Sequence, residues 1–225
     1  MTRGTTIGAR LCARLAAVAA LIVLLVATAS AQVPGGCTTP ASERTGDIGC
    51  YLSMTKELGV LPPAPVFWHV YNFPSRFLAS AGAGPLGVVV EAFDKVWLFA
   101  VAEKEWRPSG GERVAVIGPL EVKAGRSYTA RYMEAAFMPG MRTSVHRHSG
   151  PEAWYLVSGS QCLETPDGAI VAKAGDSAVV PEGPPMVLSS VGRETRRSVL
   201  LVLHESNQPW VSPAGDWQPK GACPK

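Results

Sequence analysis

From residue 121 to residue 207 the chain is cut into short apolar, β-branched runs by turns built on glycine and proline. A helix of ordinary length needs an unbroken amphipathic stretch, and these runs are too short to supply one. Strands are predicted over 127–137, 153–158, 161–164, 170–173, 177–180 and 197–204. Pro139-Gly140 ends the first of them, and Ala174-Gly175-Asp176 turns the chain between two others. Thr165-Pro166-Asp167-Gly168 carries the Asp-Gly pair that favours a tight hairpin. Short strands at this spacing form an all-β sandwich or barrel.

The residues before 121 read as an N-terminal α+β elaboration over 32–120. Strands are predicted over 65–73, 87–91, 95–102 and 113–117, the middle two joined at Phe93-Asp94. A short helix is expected over 75–81, with Ser75 as its N-cap and Gly82 near its end. Periodicity leaves 50–58 open between a short strand and a helical turn. A layer of this size is marginal alone, so it is expected to pack on the barrel. The tail over 208–225, rich in proline and glycine, is expected to wrap outside.

The first 31 residues read as a signal peptide. Arg3, Arg10 and Arg14 precede an unbroken apolar run over 15–26, and Ala29-Ser30-Ala31 supplies a small-residue cleavage site. The mature chain then begins at Gln32 and is exported, either periplasmic or secreted. A retained anchor is the competing reading, because residues 11–28 nearly match a bilayer. After cleavage no stable membrane insertion is expected. The leader carries three arginines and no acid, which accounts for the whole net charge of +3. The mature chain is formally neutral, so charge gives no support to nucleic acid as a partner.

Cleavage also removes Cys12 and leaves Cys37, Cys50, Cys162 and Cys223. Four cysteines on an exported chain suggest two disulfides in one of three pairings. Cys37–Cys50 and Cys162–Cys223 are favoured, closing a short loop and pinning the tail to the barrel. Free thiols are the alternative, for Cys162 above all if it sits inside the barrel.

The chemistry concentrates between Gly140 and Gly159. Side chains two apart on a strand face the same way, so His146 and His148 can chelate one ion. Glu152 follows after a short turn. Two histidines and a carboxylate suit a divalent transition metal such as iron, manganese, zinc, nickel or copper.

This run resembles the first motif of the cupin superfamily: Gly, five residues, His-x-His, three or four residues, Glu, six residues, Gly. Gly140, His146, His148, Glu152 and Gly159 meet every spacing. Gly175, Pro181 and Gly183 are similar to the second motif, whose closing histidine is replaced here by Met186. The resemblance covers about 121–207. It implies a cupin double-stranded β-helix, a jelly-roll barrel, with the ligands inside its mouth. Metal-binding cupins take a third histidine at the Met186 position. A thioether is a soft, weak ligand, suited to copper(I) more than to hard ions. Three sites therefore compete: a His/His/Glu site with open positions, a site with Met186 in the fourth position, and a metal-free pocket that hydrogen-bonds a ligand.

Tyr132 and Glu134 share a strand face and are further pocket candidates. One of Trp154 and Tyr155 must face the interior. Arg142 and Arg147 flank the mouth and would attract an anion, although exposed arginine is the commoner meaning. His69 and His204 read as structural. The chain has no phosphate loop and no nucleophile elbow. Two functions remain: an exported protein that binds a small molecule, or a metal-dependent enzyme such as a dioxygenase or isomerase. The oligomeric state is open, with a dimer among the alternatives.

Overall fold

The structure is a computed structural model that describes residues 36–224 together with Met1 and Val33. The leader read over residues 1–31 lies, Met1 apart, outside the described residues. The first half contains β1 (Gly49–Val60), β2 (Val66–Phe73), α1 (Arg76–Ala83), β3 (Val88–Ala92), β4 (Lys95–Glu103) and β5 (Glu112–Leu120). The second half runs through β6 (Ser127–Phe137), β7 (His146–His148), β8 (Glu152–Ser158), β9 (Ser160–Thr165) and β10 (Gly168–Lys173). It ends with β11 (Ser177–Val180), β12 (Val187–Val191), β13 (Arg196–Glu205) and β14 (Val211–Pro213).

A five-stranded antiparallel sheet in the order β1-β6-β13-β8-β11 forms one wall of the barrel. The sheet β10-β9-β12 and the pair β14-β7 form the other. The sheet β3-β4-β2-β5 covers the outer face of the five-stranded sheet. The fold is an all-β jelly roll with an added outer layer.

This layering explains the composition of the central strands. Val199, Leu201 and Leu203 of β13 pack outward with Trp68, Trp97 and Phe99 of the outer sheet. Leu200 and Val202, on the alternate positions, pack inward with Met133, Phe137, Trp154 and Leu156. A strand buried on both faces reads as continuous apolar sequence, not as an alternation. Tyr155 likewise packs toward the outer sheet and Trp154 toward the interior.

Periodicity does not decide residues 50–58; in the structure they form β1, an edge strand paired with β6. The sheet that builds the site thus draws on sequence from both sides of residue 121. At the β3–β4 turn both Phe93 and Asp94 adopt positive φ, 54° and 58°, as a type I′ hairpin requires. The Ser75 hydroxyl caps α1 by accepting from the Leu78 N–H at 3.3 Å. Gly82 lies inside that helix, where a Cβ would stand 2.4 Å from the Ser109 carbonyl oxygen. Disulfides join Cys37 to Cys50 and Cys162 to Cys223, tying the N-terminal segment to β1 and the tail to β9. No helix among the described residues is long and apolar enough to cross a membrane.

Candidate functional site

β7 is only three residues long and is held on both sides. His146 exchanges backbone hydrogen bonds with Met186 at 3.1 and 2.8 Å, and Val211–Pro213 pair along the opposite edge. The period of two puts both imidazoles on one face, with ring centroids 4.9 Å apart. The chain then turns through Gly150-Pro151 into β8. Only glycine fits at 150, since a Cβ there would meet the Leu203 carbonyl oxygen at 2.0 Å. This approach delivers Glu152 beside His148, with Oε2 3.7 Å from Nε2.

Backbone carbonyls orient both rings. His146 Nδ1 lies 2.8 Å from the Ser144 oxygen and His148 Nδ1 lies 2.9 Å from the Trp210 oxygen. A carbonyl only accepts, so each Nδ1 carries the proton and each Nε2 keeps its lone pair. His148 also stacks on Trp210, with centroids 5.6 Å apart. Burial lowers the His148 pKa to about 4, against the raising effect of the Trp210 carbonyl. Burial, then the neighbouring His148, lowers that of His146. Both rings are therefore neutral at physiological pH. Burial raises the pKa of Glu152, opposed by His146 and Arg196.

These donors are of the right kind for a metal, but their arrangement is not closed. Among the described residues no three side chains of His, Cys, Asp or Glu stand together as an ion-holding group. Met186 is fully buried in an apolar cluster with Leu163, Val180 and Leu188 and does not line the cavity, although its backbone pairs with His146. A ligand role for it finds no support in this packing, which suits an unbranched thioether as filler.

The histidines and Glu152 head a cavity of about 660 Å³ between the barrel walls. Met133, Phe137, Leu200, Val202 and Trp210 give it an apolar lining, and Arg142 stands exposed on its rim. Arg196 also reaches it, although its side chain is almost wholly buried. Gly159 permits this: a Cβ there would stand 2.8 Å from the Arg196 Cα.

Tyr132 and Glu134 do not line the cavity. They occupy the outward face of β6, where Tyr132 stacks on Phe99 at 5.4 Å and Glu134 pairs with Arg44. The inward positions of β6 are Met133, Ala135 and Phe137. Both faces of this strand are covered, so burial and polarity in the sequence do not distinguish them. The expectation that the tail lies outside also needs correction. Trp210, Val211, Ser212 and Pro213 fold back as part of the cavity wall. Arg147 is engaged by that tail, donating to both Asp216 oxygens at 2.9 and 2.8 Å. His204 is buried on the inward face of β13, near enough to His148 to help lower its pKa but not lining the cavity, and His69 contacts the Glu103 carbonyl at 2.9 Å in the outer layer. Arg196 was not singled out from sequence. Its signal was the strand alternation of β13, which places residues 196, 200 and 202 on one face.

An antiparallel barrel with a His-x-His strand leading into a carboxylate at its mouth resembles a cupin barrel. No family model matches the chain, and no curated protein matches it. Solved structures similar to it include a cupin superfamily protein from Desulfitobacterium hafniense DCB-2. That likeness has 15% identity and a TM-score of 0.32 over 38% of this chain and 74% of the other. A cupin domain from Bordetella pertussis Tohama I matches at 25% identity and a TM-score of 0.30, over 37% of this chain and 88% of that one. A DMSP lyase from Ruegeria pomeroyi DSS-3 matches at 15% identity and 0.34, over 41% of this chain and 45% of the lyase. The chain spans less than half the length of that enzyme.

Proposed function

We propose that this protein is exported to the periplasm or beyond and binds a small molecule in the barrel, with His146, His148 and Glu152 as its polar recognition groups. One observation carries the reading. Two neutral imidazoles, each fixed through Nδ1 by a backbone carbonyl, head an apolar cavity of about 660 Å³. That volume lies in the range of small-molecule sites, which combine apolar walls with a few placed polar groups. Two disulfides among the described residues are compatible with export.

A second reading, a metal-dependent enzyme acting on a small substrate, is favoured by the same Nε2 lone pairs and by Glu152 Oε2, which is buried without a hydrogen-bond partner. His146, His148 and Glu152 would hold the ion, which would polarise a bound substrate. The unclosed donor set places this reading second.

The test is metal analysis of protein purified without a histidine tag, then a thermal-shift screen of small acids, amides and alcohols before and after EDTA. The expected outcome is substoichiometric metal and binding that survives chelation. His146→Ala and His148→Ala should each weaken that binding about tenfold, a loss of roughly 1.4 kcal/mol. Stoichiometric metal whose removal abolishes binding would transfer the site to the enzyme reading. A screen in which no compound binds would retire the ligand-binding reading.

A further inference from the structure

Arg196 is a buried charged group at the cavity whose donors are only partly met. Its side chain is 1% exposed, and the guanidinium lies over the Phe137 ring, 4.8 Å from the centroid. Its Nε donates to Gln161 Oε1 at 2.8 Å. Both terminal nitrogens are buried and make no hydrogen bond. Gln161 Nε2 is likewise buried without a partner. A guanidinium removed from water costs several kcal/mol unless its donors are met. The two terminal nitrogens form a planar fork whose spacing matches a carboxylate.

The surroundings narrow the reading. Glu152 attracts the guanidinium, yet its Oε2 has its close contact with His148 Nε2. Burial lowers the Arg196 pKa only to about 10, so the side chain stays a cation at physiological pH. Gln161 and Phe137 hold one edge and one face of the group, leaving the fork as the part still to be satisfied. The adjoining walls, Met133, Phe137, Leu200 and Val202, are apolar.

We propose that Arg196 is the anchor for the carboxylate of the bound molecule, and that the ligand class is a small monocarboxylic acid with an apolar body. The anchor rests on the reading of the cavity as a ligand site and gives it a chemical class. The carboxylate takes the two terminal N–H groups as a bidentate pair, and the apolar body lies along the barrel wall. The exposed Arg142 on the rim adds attraction for an approaching anion.

The experiment is calorimetric titration of the mature, oxidised chain with hexanoate, octanoate and phenylacetate, each beside its primary amide. At least one acid is expected to bind about tenfold or more tightly than its amide, since the amide loses the charge-assisted pair. Arg196→Met should remove that preference by weakening the acid about tenfold more than the amide, and Arg196→Lys should restore part of it. The acid–amide comparison on the wild-type chain stands even if Arg196→Met does not fold. Amides binding as tightly as acids, with Arg196→Met neutral, would overturn the anchor and leave a general ligand pocket, its fork met by water. Binding of neither series would overturn the anchor together with the pocket reading.

Discussion

His148 has its Nδ1 tied to the Trp210 carbonyl and its ring stacked on the Trp210 indole, and burial lowers its pKa from 6.5 to about 4. The unfolded chain takes up this proton near pH 6.5, the folded chain only near pH 4. Between those values the unfolded state binds more protons, so stability is full above about pH 6.5 and falls as pH drops toward 4. The loss from this residue is on the order of 3 kcal/mol. His146 shifts in the same direction. Glu152 has the opposite sign: its raised pKa contributes stability below the unfolded value that is lost as pH rises through the folded one. Urea unfolding of the wild type and His148→Gln should show it. The stability of the wild type relative to the variant should fall by about 3 kcal/mol between pH 7 and pH 4. A constant difference would mean that His148 titrates normally. His146, His148 and Glu152 were legible in the sequence because alternation and a short turn fix their relation locally. Arg196 was not, because it stands next to Arg197 and only the register of β13 separates them. Arg197 lies on the opposite face, in a surface hollow with Arg44 and Asp47.

The C-terminal tail departs most from its sequence reading. Its proline and glycine content suggests a loose wrap, yet Val211–Pro213 pair with His146–His148 as β14. A three-residue strand ending in proline has too little pattern to be recognised, and β7 is equally short. Each is defined by the other and by contacts from outside the pair. Several ties hold the tail, among them the Ser149 hydroxyl donating to the Pro209 carbonyl at 2.7 Å, the Lys220 N–H donating to Glu164, Arg147 gripping Asp216, and the bond of Cys223 to Cys162. The disulfide spans 61 residues of sequence, so its loss should lower stability by about 2–4 kcal/mol. Cys223→Ser tests this without altering β14 itself. Hydrogen exchange should quicken at residues 211 and 212 and at 146–148 more than in β6 and β13, because the tail opens locally before the sheet unfolds. Uniform acceleration through all strands would indicate that the tail and the barrel unfold as one unit.

The three layers of the molecule share the five-stranded sheet, which makes the barrel dependent on sequence outside it. Tyr128, Ala130 and Tyr132 of β6, Ala153 of β8, and Val199, Leu201 and Leu203 of β13 are covered by Val66, Trp68, Val70, Trp97, Phe99 and their neighbours. β1 supplies the outer hydrogen-bonding partner of β6 from the same N-terminal half. A chain of residues 121–225 would lose both. Leaving a large apolar side chain exposed forfeits roughly 1.5–3 kcal/mol. Five such side chains, two tyrosines among them, bring the loss to on the order of 10 kcal/mol, comparable to the whole stability of an ordinary domain. The unpaired edge of β6 would add a surface for aggregation. The shortened chain should therefore fail to give a cooperative melt, bind a hydrophobic dye strongly and elute as aggregate, while the mature chain melts cooperatively. Circular dichroism and size-exclusion chromatography on the two chains decide it. A cooperative transition of the shortened chain within a few degrees of the mature one would show that the barrel is self-sufficient. The outer sheet would then be an attachment to the barrel and not part of its core.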